Sequence, residues 1–323
     1  MSKKKIAIVA GGNSDEWEVS LRSAAGLYAA MDKERYDVKI VSLIHSKWEV
    51  IDGEQRYNID KNDFSYTAHG ERHTFDYAYI TIHGTPGEDG LLQGYFELIG
   101  MPYSTCSALV AGLSFNKHTC NQYLQSYGVR VAENITLRPG QTVDPRVVDE
   151  KIGYPCFVKS TIGGSSFGVT KVKHPEQLQA AIELAAQQGG EVMIEAFMQG
   201  TEITCGCYKT RTVSHVFPVT EVVPEDEFFD YDAKYNGRVS EITPARISPE
   251  LTCEVQQLTS RIYDLLGCRG IVRIDYIITN GDKVNLLEMN ITPGMTPTSF
   301  IPQQIRAAGL DIKEVLTDII EDR

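Results

Sequence analysis

The chain has 323 residues and 42% hydrophobic content, enough for two or three packed units and too apolar for a disordered chain. A formal net charge of -12 excludes broad nucleic-acid binding and an anionic membrane surface, while a few local Lys and Arg can still hold a small anionic ligand. Seven scattered cysteines give neither a disulfide framework nor zinc spacing, so reduced thiols in a cytoplasm are expected.

The opening MSKKKIAIVAGG is basic and then apolar, but its apolar run is too short for a secretion signal and breaks at Gly11-Gly12. It reads as a first strand, Lys5–Ala10. Helical spacing follows over Glu18–Met31, then a strand at Tyr36–Leu43 and a small hairpin over Val50–Tyr57 turning at Asp52-Gly53. Phe75–His83 is a further strand, and Leu91–Ile99 a helix closed by Gly100. This alternation predicts a largely parallel sheet with ligands at the carboxyl ends of its strands, where Gly11, Gly12 and His83 fall.

A second unit begins near Cys106, with a helix over Leu113–Tyr127 and strands at Val131–Leu137, Cys156–Ser160 and Val169–Lys173. Pro175–Gln188 carries Pro near its start and Gly189 past its end, the usual helix asymmetry. The strand Glu191–Ala196 leads into a third, strand-rich unit ending in two helices. The expected units are 1–105, 106–195 and 196–323. No stretch has the length of a membrane span.

Three segments carry chemistry. Gly270–Ile278 and Lys283–Asn290 flank Asn280-Gly281, a strong hairpin signal. A two-residue turn sets Asp275 opposite Leu286 and Arg273 opposite Glu288. Alternation then puts Arg273, Asp275, Glu288 and Asn290 on one face. Two carboxylates and an amide oxygen suit Mg²⁺, whose shell phosphate oxygens complete; an Arg–Glu pair on a surface hairpin is the plain alternative. Next, Lys159 precedes TIGGSSFG, whose glycines let backbone N–H groups wrap an oxyanion. No Gly-Lys-Ser/Thr follows, so this is not a Walker A loop; it reads as a lid or as a mobile hairpin tip. Last, Glu195-Ala196-Phe197-Met198 and then Glu202 fit an adenine slot with a ribose acceptor, or a common strand-to-loop junction.

Together the blocks GGNSDEWEVS, HGTPGEDGLLQGYFELIGMPY, VKSTIGGSSFG, YDAKY, RIDY and LEMNITPGMTPTSF resemble the ATP-grasp superfamily, and within it the D-alanine–D-alanine ligases. The resemblance spans the whole chain. It implies an α/β, three-domain ATP-grasp architecture with an N-terminal Rossmann-like domain. It also implies ATP-dependent ligation of two D-alanines through an acylphosphate for peptidoglycan precursors, two Mg²⁺ (Mn²⁺ able to substitute), and a cytoplasmic homodimer.

By the same resemblance, Asp275, Glu288 and Asn290 match the metal ligands, and Lys117, Lys159 and Lys234 the lysines on the phosphates. Ser166 lies in the phosphate loop, and Glu195, Ala196, Phe197, Met198 and Glu202 in the adenine and ribose stretch. Arg273 and the Gly294 N–H match the oxyanion donors, and Ser299, followed by Phe300, the group holding the second substrate's carboxylate. Glu16 matches the anchor of the first substrate's ammonium, with His83 near its carboxylate. Read alone, Asn13-x-x-Glu16 fits a capping box and His83 an ordinary loop histidine. Ser165 and Tyr235 match residues that clamp the loops with Glu16, and the tyrosine favours a dipeptide over an ester-linked D-lactate product. Ser160, Gly163, Ala196 and Phe300 depart from the residues common in relatives. Other readings are a related amino-acid ligase and a non-catalytic nucleotide-binding regulator.

Overall fold

The computed structural model describes residues 3–163, 168–224 and 239–322. The N-terminal lobe opens with β1 (Lys4–Gly11), buried along nearly its whole length, and α1 (Trp17–Ala30). Then come β2 (Tyr36–Ile44), β3 (Lys47–Asp52), β4 (Gln55–Asp60), β5 (Ser65–Ala68), β6 (Glu71–His73) and β7 (Tyr77–Ile80). They form one sheet in the order β6-β5-β4-β3-β2-β1-β7. Only β2-β1-β7 is parallel. The rest is an antiparallel meander, because short loops between β2 and β6 leave no room for crossover helices. Asp52 pairs with Gln55, so the turn is Gly53-Glu54, one residue later than the sequence signal. Helix α2 (Leu91–Ile99) closes the lobe at the expected Gly100.

The single helix expected over 113–127 is two: α3 (Ala108–Phe115) and α4 (Lys117–Ser126). Asn116 stands between them in extended conformation and its side chain accepts from Thr119 N at 2.9 Å, so a cap interrupts the apolar pattern. The central lobe holds β8 (Asn134–Leu137), α5 (Pro145–Lys151), β9 (Cys156–Ser160), β10 (Thr170–Val172), α6 (Leu178–Ala186) and β11 (Val192–Ala196). A 3-10 turn over Pro175–Gln177 precedes α6. Its sheet runs β10-β9-β11-β8 over a separate core that includes Val158, Leu178 and Ile194.

The last sheet contains β12 (Gly200–Lys209), β13 (Ser214–Val216), β14 (Thr220–Pro224), β15 (Val239–Ile242), β16 (Val272–Thr279) and β17 (Lys283–Asn290), ordered β15-β14-β12-β16-β17 with β13 beside β12. Helix α7 (Pro249–Leu266) packs on it, and the core they share also takes Val110 and Ala111 of α3 and Leu124 of α4. The final helices, α8 (Phe300–Ala307) and α9 (Ile312–Glu321), return to the first lobe. Val315, Leu316, Ile319 and Ile320 of α9 join Ile6, Ile8 and Leu27 in one core. Each such fully buried side chain contributes roughly 1.5–3 kcal/mol, so the first and last segments are held together by apolar contact. Lys4 Nζ to Ile320 O at 2.9 Å and Tyr77 OH to Ile319 O at 3.3 Å fix the register of that contact.

Candidate active site

The hairpin β16–β17 is the centre of the site, and its register differs from the two-residue-turn expectation. Thr279 pairs with Lys283, so the loop is Asn280-Gly281-Asp282, with Asn280 and Gly281 both at positive φ. That slip alone would turn Glu288 away from Asp275. A bulge next to the Asp275/Tyr276 pairs adds a second slip and restores the face. Asp275 thus lies directly opposite Glu288, and Arg273 opposite Asn290. On the other face Leu286 enters the core with Ile274, Tyr276 and Met289. The predicted grouping of four polar residues holds, reached through different pairs.

Arg273 donates through Nε and Nη2 to the two oxygens of Asp275, at 2.9 and 2.7 Å, and both residues are under a tenth exposed. Burial pulls the guanidinium down, but the Asp275 charge and this fork hold it above its ordinary value. Phe300 covers it, the guanidinium carbon standing 5.4 Å from the ring centre. Asn290 Oδ1 accepts from Thr292 N at 2.9 Å and keeps one lone pair for another donor or a cation. Among the described residues no group of three or more His, Cys, Asp or Glu is set to hold a metal. Two facing carboxylates and an amide oxygen are a fit for Mg²⁺ only when substrate oxygens complete the shell.

These strands wall a cleft of about 440 Å³ whose lining includes Glu16, His83, Lys117, Arg273, Glu288, Asn290, Gly294, Ser299 and Phe300. Glu16 is buried at the start of α1, and no side-chain cap forms there. The capping box is absent because Asn13 Oδ1 accepts from His45 N at 2.7 Å, a partner from beyond β2. Ser14 Oγ donates to His83 O at 2.7 Å and ties that turn to the histidine. Ser299, also in the lining, accepts at Oγ from Thr296 N at 3.2 Å at the first turn of α8, whose backbone N–H groups favour an anion. The loop over 291–299 is docked on α1 by Met295 N to Ser23 Oγ at 3.2 Å.

Lys117 connects the cleft to a second group of predicted residues. Its Nζ donates to Gly163 O at 2.6 Å and stands 3.9 Å from Glu288. Burial lowers its pKa, the Glu288 charge opposes that, and Lys159 lowers it further, so two cations converge here. Lys159 donates to Glu195 Oε2 at 2.6 Å, both side chains buried, while Glu195 Oε1 is buried with no partner among the described residues. That acceptor suits an amino group such as adenine carries. Ala196 N is already given to Glu133 O at 2.9 Å, which leaves only the Ala196 carbonyl for a ligand. Phe197 is tilted against Phe157, their ring centres 5.8 Å apart, with Lys171 Nζ 4.0 Å over its ring. Met198 is half-buried beyond β11, and Glu202 lies on β12 opposite Val222 and Ile277. None of Lys159, Glu195, Ala196, Phe197, Met198 or Glu202 lines the cleft itself.

Ser160 Oγ donates to Gly189 O at 2.5 Å and accepts from Ile162 N at 3.2 Å, which fastens the base of the glycine loop. Gly163 has φ +104°, a conformation that a larger residue would strain. The predicted Ser165, Ser166, Lys234 and Tyr235 lie outside the described residues. Glu88 and Glu241 also line the cleft and were missed. The signal for Glu88 was its place in HGTPGEDG, five residues past His83.

Three lobes, with Lys117 and Lys159 converging at the edge of the central one near an acidic hairpin, define the class: the ATP-grasp fold. Residues 5–106 match the family described as D-ala D-ala ligase N-terminus, and 123–321 match D-ala D-ala ligase C-terminus. The chain belongs to this family. A D-alanine--D-alanine ligase of Bacteroides fragilis is 62% identical over 99% of both chains, and one of Phocaeicola vulgatus is 62% identical over the same shares. A solved D-Ala:D-Ser ligase from Enterococcus faecalis superposes with a TM-score of 0.88 at 30% identity, covering 99% of each chain. The D-alanyl-alanine synthetase A of Vibrio cholerae gives 0.89 at 26%, over 99% of this chain and 98% of that one.

Proposed function

We propose that the chain uses ATP to join two D-alanines into D-alanyl-D-alanine for peptidoglycan synthesis, with the cleft as the reaction chamber. The observation that carries this is that Glu16 and His83 from the first lobe and Arg273 and Ser299 from the last line one cleft. Such a cleft suits two amino acids head to tail. A carboxylate oxygen of the first D-alanine attacks the γ-phosphorus, and the bond to ADP breaks. The amine of the second, having lost a proton, attacks the acyl carbon, and phosphate leaves with its bonding pair.

In this reading Glu16 receives the first ammonium and His83 lies by the first carboxylate. Arg273 and the Gly294 N–H stabilise the oxyanion; a fixed donor where charge develops is worth roughly 2.7–4 kcal/mol. Ser299 and the start of α8 take the second carboxylate. Lys117, Lys159 and Lys234 offset phosphate charge, Ser166 with the glycine loop covers it, and Glu195, Ala196, Phe197, Met198 and Glu202 receive adenine and ribose. Ser165 and Tyr235 close the loops over Glu16. Asp275, Glu288 and Asn290 would hold two Mg²⁺, or Mn²⁺ in their place, which when bound withdraw charge from phosphate oxygens.

The units 1–105, 106–195 and 196–323, a cytoplasmic setting and a homodimer belong to the same proposal. No described helix is long and apolar enough to cross a membrane. Leu91, Leu98 and Leu109, exposed on α2 and α3, are apolar surface that a second copy would cover. The test is phosphate release with ATP, Mg²⁺ and D-alanine against L-alanine or D-lactate. Release and dipeptide formation should require D-alanine and rise above neutral pH as the attacking amine loses its proton. Equal turnover with L-alanine or D-lactate would refute the assignment.

A further inference from the structure

Gln304 is fully buried on α8, and its amide fills a place where one ladder of strands gives way to another. Along β12 the pairing with β14 reaches Thr204 and the pairing with β13 begins at Cys207, so Gly206 falls in the gap between them. Gly206 O accepts from Phe217 N at 2.9 Å, while Gly206 N donates to Gln304 Oε1, also at 2.9 Å. Gln304 Nε2 spends its two hydrogens on Thr204 O at 3.1 Å and Thr220 Oγ1 at 3.0 Å. One side chain thus stands in for a strand residue, meeting a backbone donor and a backbone acceptor of β12. Gly206 permits this approach, since a Cβ there would lie 2.4 Å from Ile301 Cδ1 and 2.8 Å from Gln304 Oε1. Any slide of α8 along β12 would leave these polar groups buried and unpaired, so the three bonds select a single register.

The strand that Gln304 grips backs the reacting side of the cleft. Thr204 pairs with Asp275 and Gly206 with Arg273 across the β12–β16 ladder. One turn before Gln304 on the same helix, Phe300 covers the Arg273 guanidinium, and Ser299 stands just ahead of it. Ser299, Phe300 and Ile301 line the cleft, whereas Gln304 is not among its lining residues. We infer that Gln304 is a positioning residue for the second substrate: it registers α8 on β12 and so fixes where Ser299 and Phe300 stand relative to Arg273. This rests on the active-site reading above, in which Ser299 takes the second carboxylate. With α8 pinned, the Phe300 ring bounds the room left for the side chain of the attacking amino acid. Gln304 therefore acts on selectivity at the second position without touching substrate.

The experiment uses the full chain and two variants. Gln304→Met keeps the length of the side chain and removes all three bonds; Thr220→Val keeps the shape of its residue and removes one, so it carries the test if Gln304→Met does not fold. Velocity over a wide range of D-alanine separates the constants of the two D-alanine sites, and a parallel series gives KM for ATP. In Gln304→Met the constant of the second D-alanine site should rise roughly tenfold, with the first site and ATP unchanged. Thr220→Val should move the same constant in the same direction by less. A competition between D-alanine and D-2-aminobutyrate, read by mass spectrometry of the dipeptides that begin with D-alanine, reports the room at the second position. The preference for D-alanine there should fall by about three- to tenfold in Gln304→Met, since one methylene is what the pocket must reject. A variant that melts lower yet keeps the wild-type preference and all three constants would show a purely structural amide and overturn the inference. An equal rise in all three constants would overturn it as well, because the loosening would then be general. Failure of the wild type to turn over D-alanine would instead strike the active-site reading.

Discussion

Two buried ion pairs, Arg273–Asp275 and Lys159–Glu195, differ in how much of each partner is used. The first is a closed fork: both oxygens of Asp275 are bonded to the guanidinium, and Phe300 covers its face. The second is a single bond of 2.6 Å that leaves Glu195 Oε1 buried without a partner among the described residues. A buried charge tolerates its loss of water only when its hydrogen-bonding capacity is met. The fork thus fixes the guanidinium before substrate arrives and leaves it further N–H groups to present to a developing charge. The open pair keeps one acceptor in reserve for a ligand. One pair is suited to stabilising a transition state, the other to recognising a base.

The largest expected effect comes from opening the closed pair. Arg273→Lys keeps a positive charge but cannot form the fork. It should lower kcat by about 10²–10³, in line with removal of an oxyanion donor, with little change in KM for ATP. Stopped assays of dipeptide formation would measure this; a change confined to ATP affinity would place Arg273 on the nucleotide side instead. Next in size is Glu195→Gln, which keeps the shape but turns part of the reserved acceptor into a donor and removes the partner of buried Lys159. KM for ATP should rise about tenfold, and the protein should lose roughly 1–3 kcal/mol of stability in urea titrations. An unchanged KM for ATP would show that Oε1 is not an adenine acceptor.

The same contrast explains what could be read from the chain alone. The polar face of the β16–β17 hairpin was legible because strand alternation is local. Its register was not, because Leu286 N is diverted to Arg130 O at 2.9 Å, a partner more than a hundred residues away. Glu16 looked like half of a capping box because Asn13 stands three residues before it. The actual partner of Asn13, the His45 N–H, arrives only through the fold. The parallel sheet was over-read for a related reason: the hairpin at 50–57 was legible, but its pairing onto β2 and the further antiparallel strands β5 and β6 had no such turn signal. The closed and open character of the two ion pairs depends on distances that no spacing in the sequence encodes.

The smallest effect belongs to Gly26, and its sign sets two principles against each other. Gly26 lies inside α1, where replacing Gly by Ala ordinarily stabilises a helix by about 0.8–1.0 kcal/mol. Here an added Cβ would lie 2.7 Å from the backbone carbonyl oxygen of Met295, a loop atom that cannot rotate aside as a side-chain end can. Forcing a methyl into such a contact costs roughly 1–3 kcal/mol, so the clash outweighs the propensity by a small margin. The strain falls on the loop that carries Gly294 and Ser299, not on the nucleotide group. Gly26→Ala should therefore fold, melt at or slightly below wild type, and raise KM for D-alanine a few-fold with KM for ATP constant. A rise in melting temperature with unaltered D-alanine kinetics would mean that the loop yields freely. The docking of the 291–299 loop on α1 would then have no part in shaping the end of the cleft that the closed pair serves.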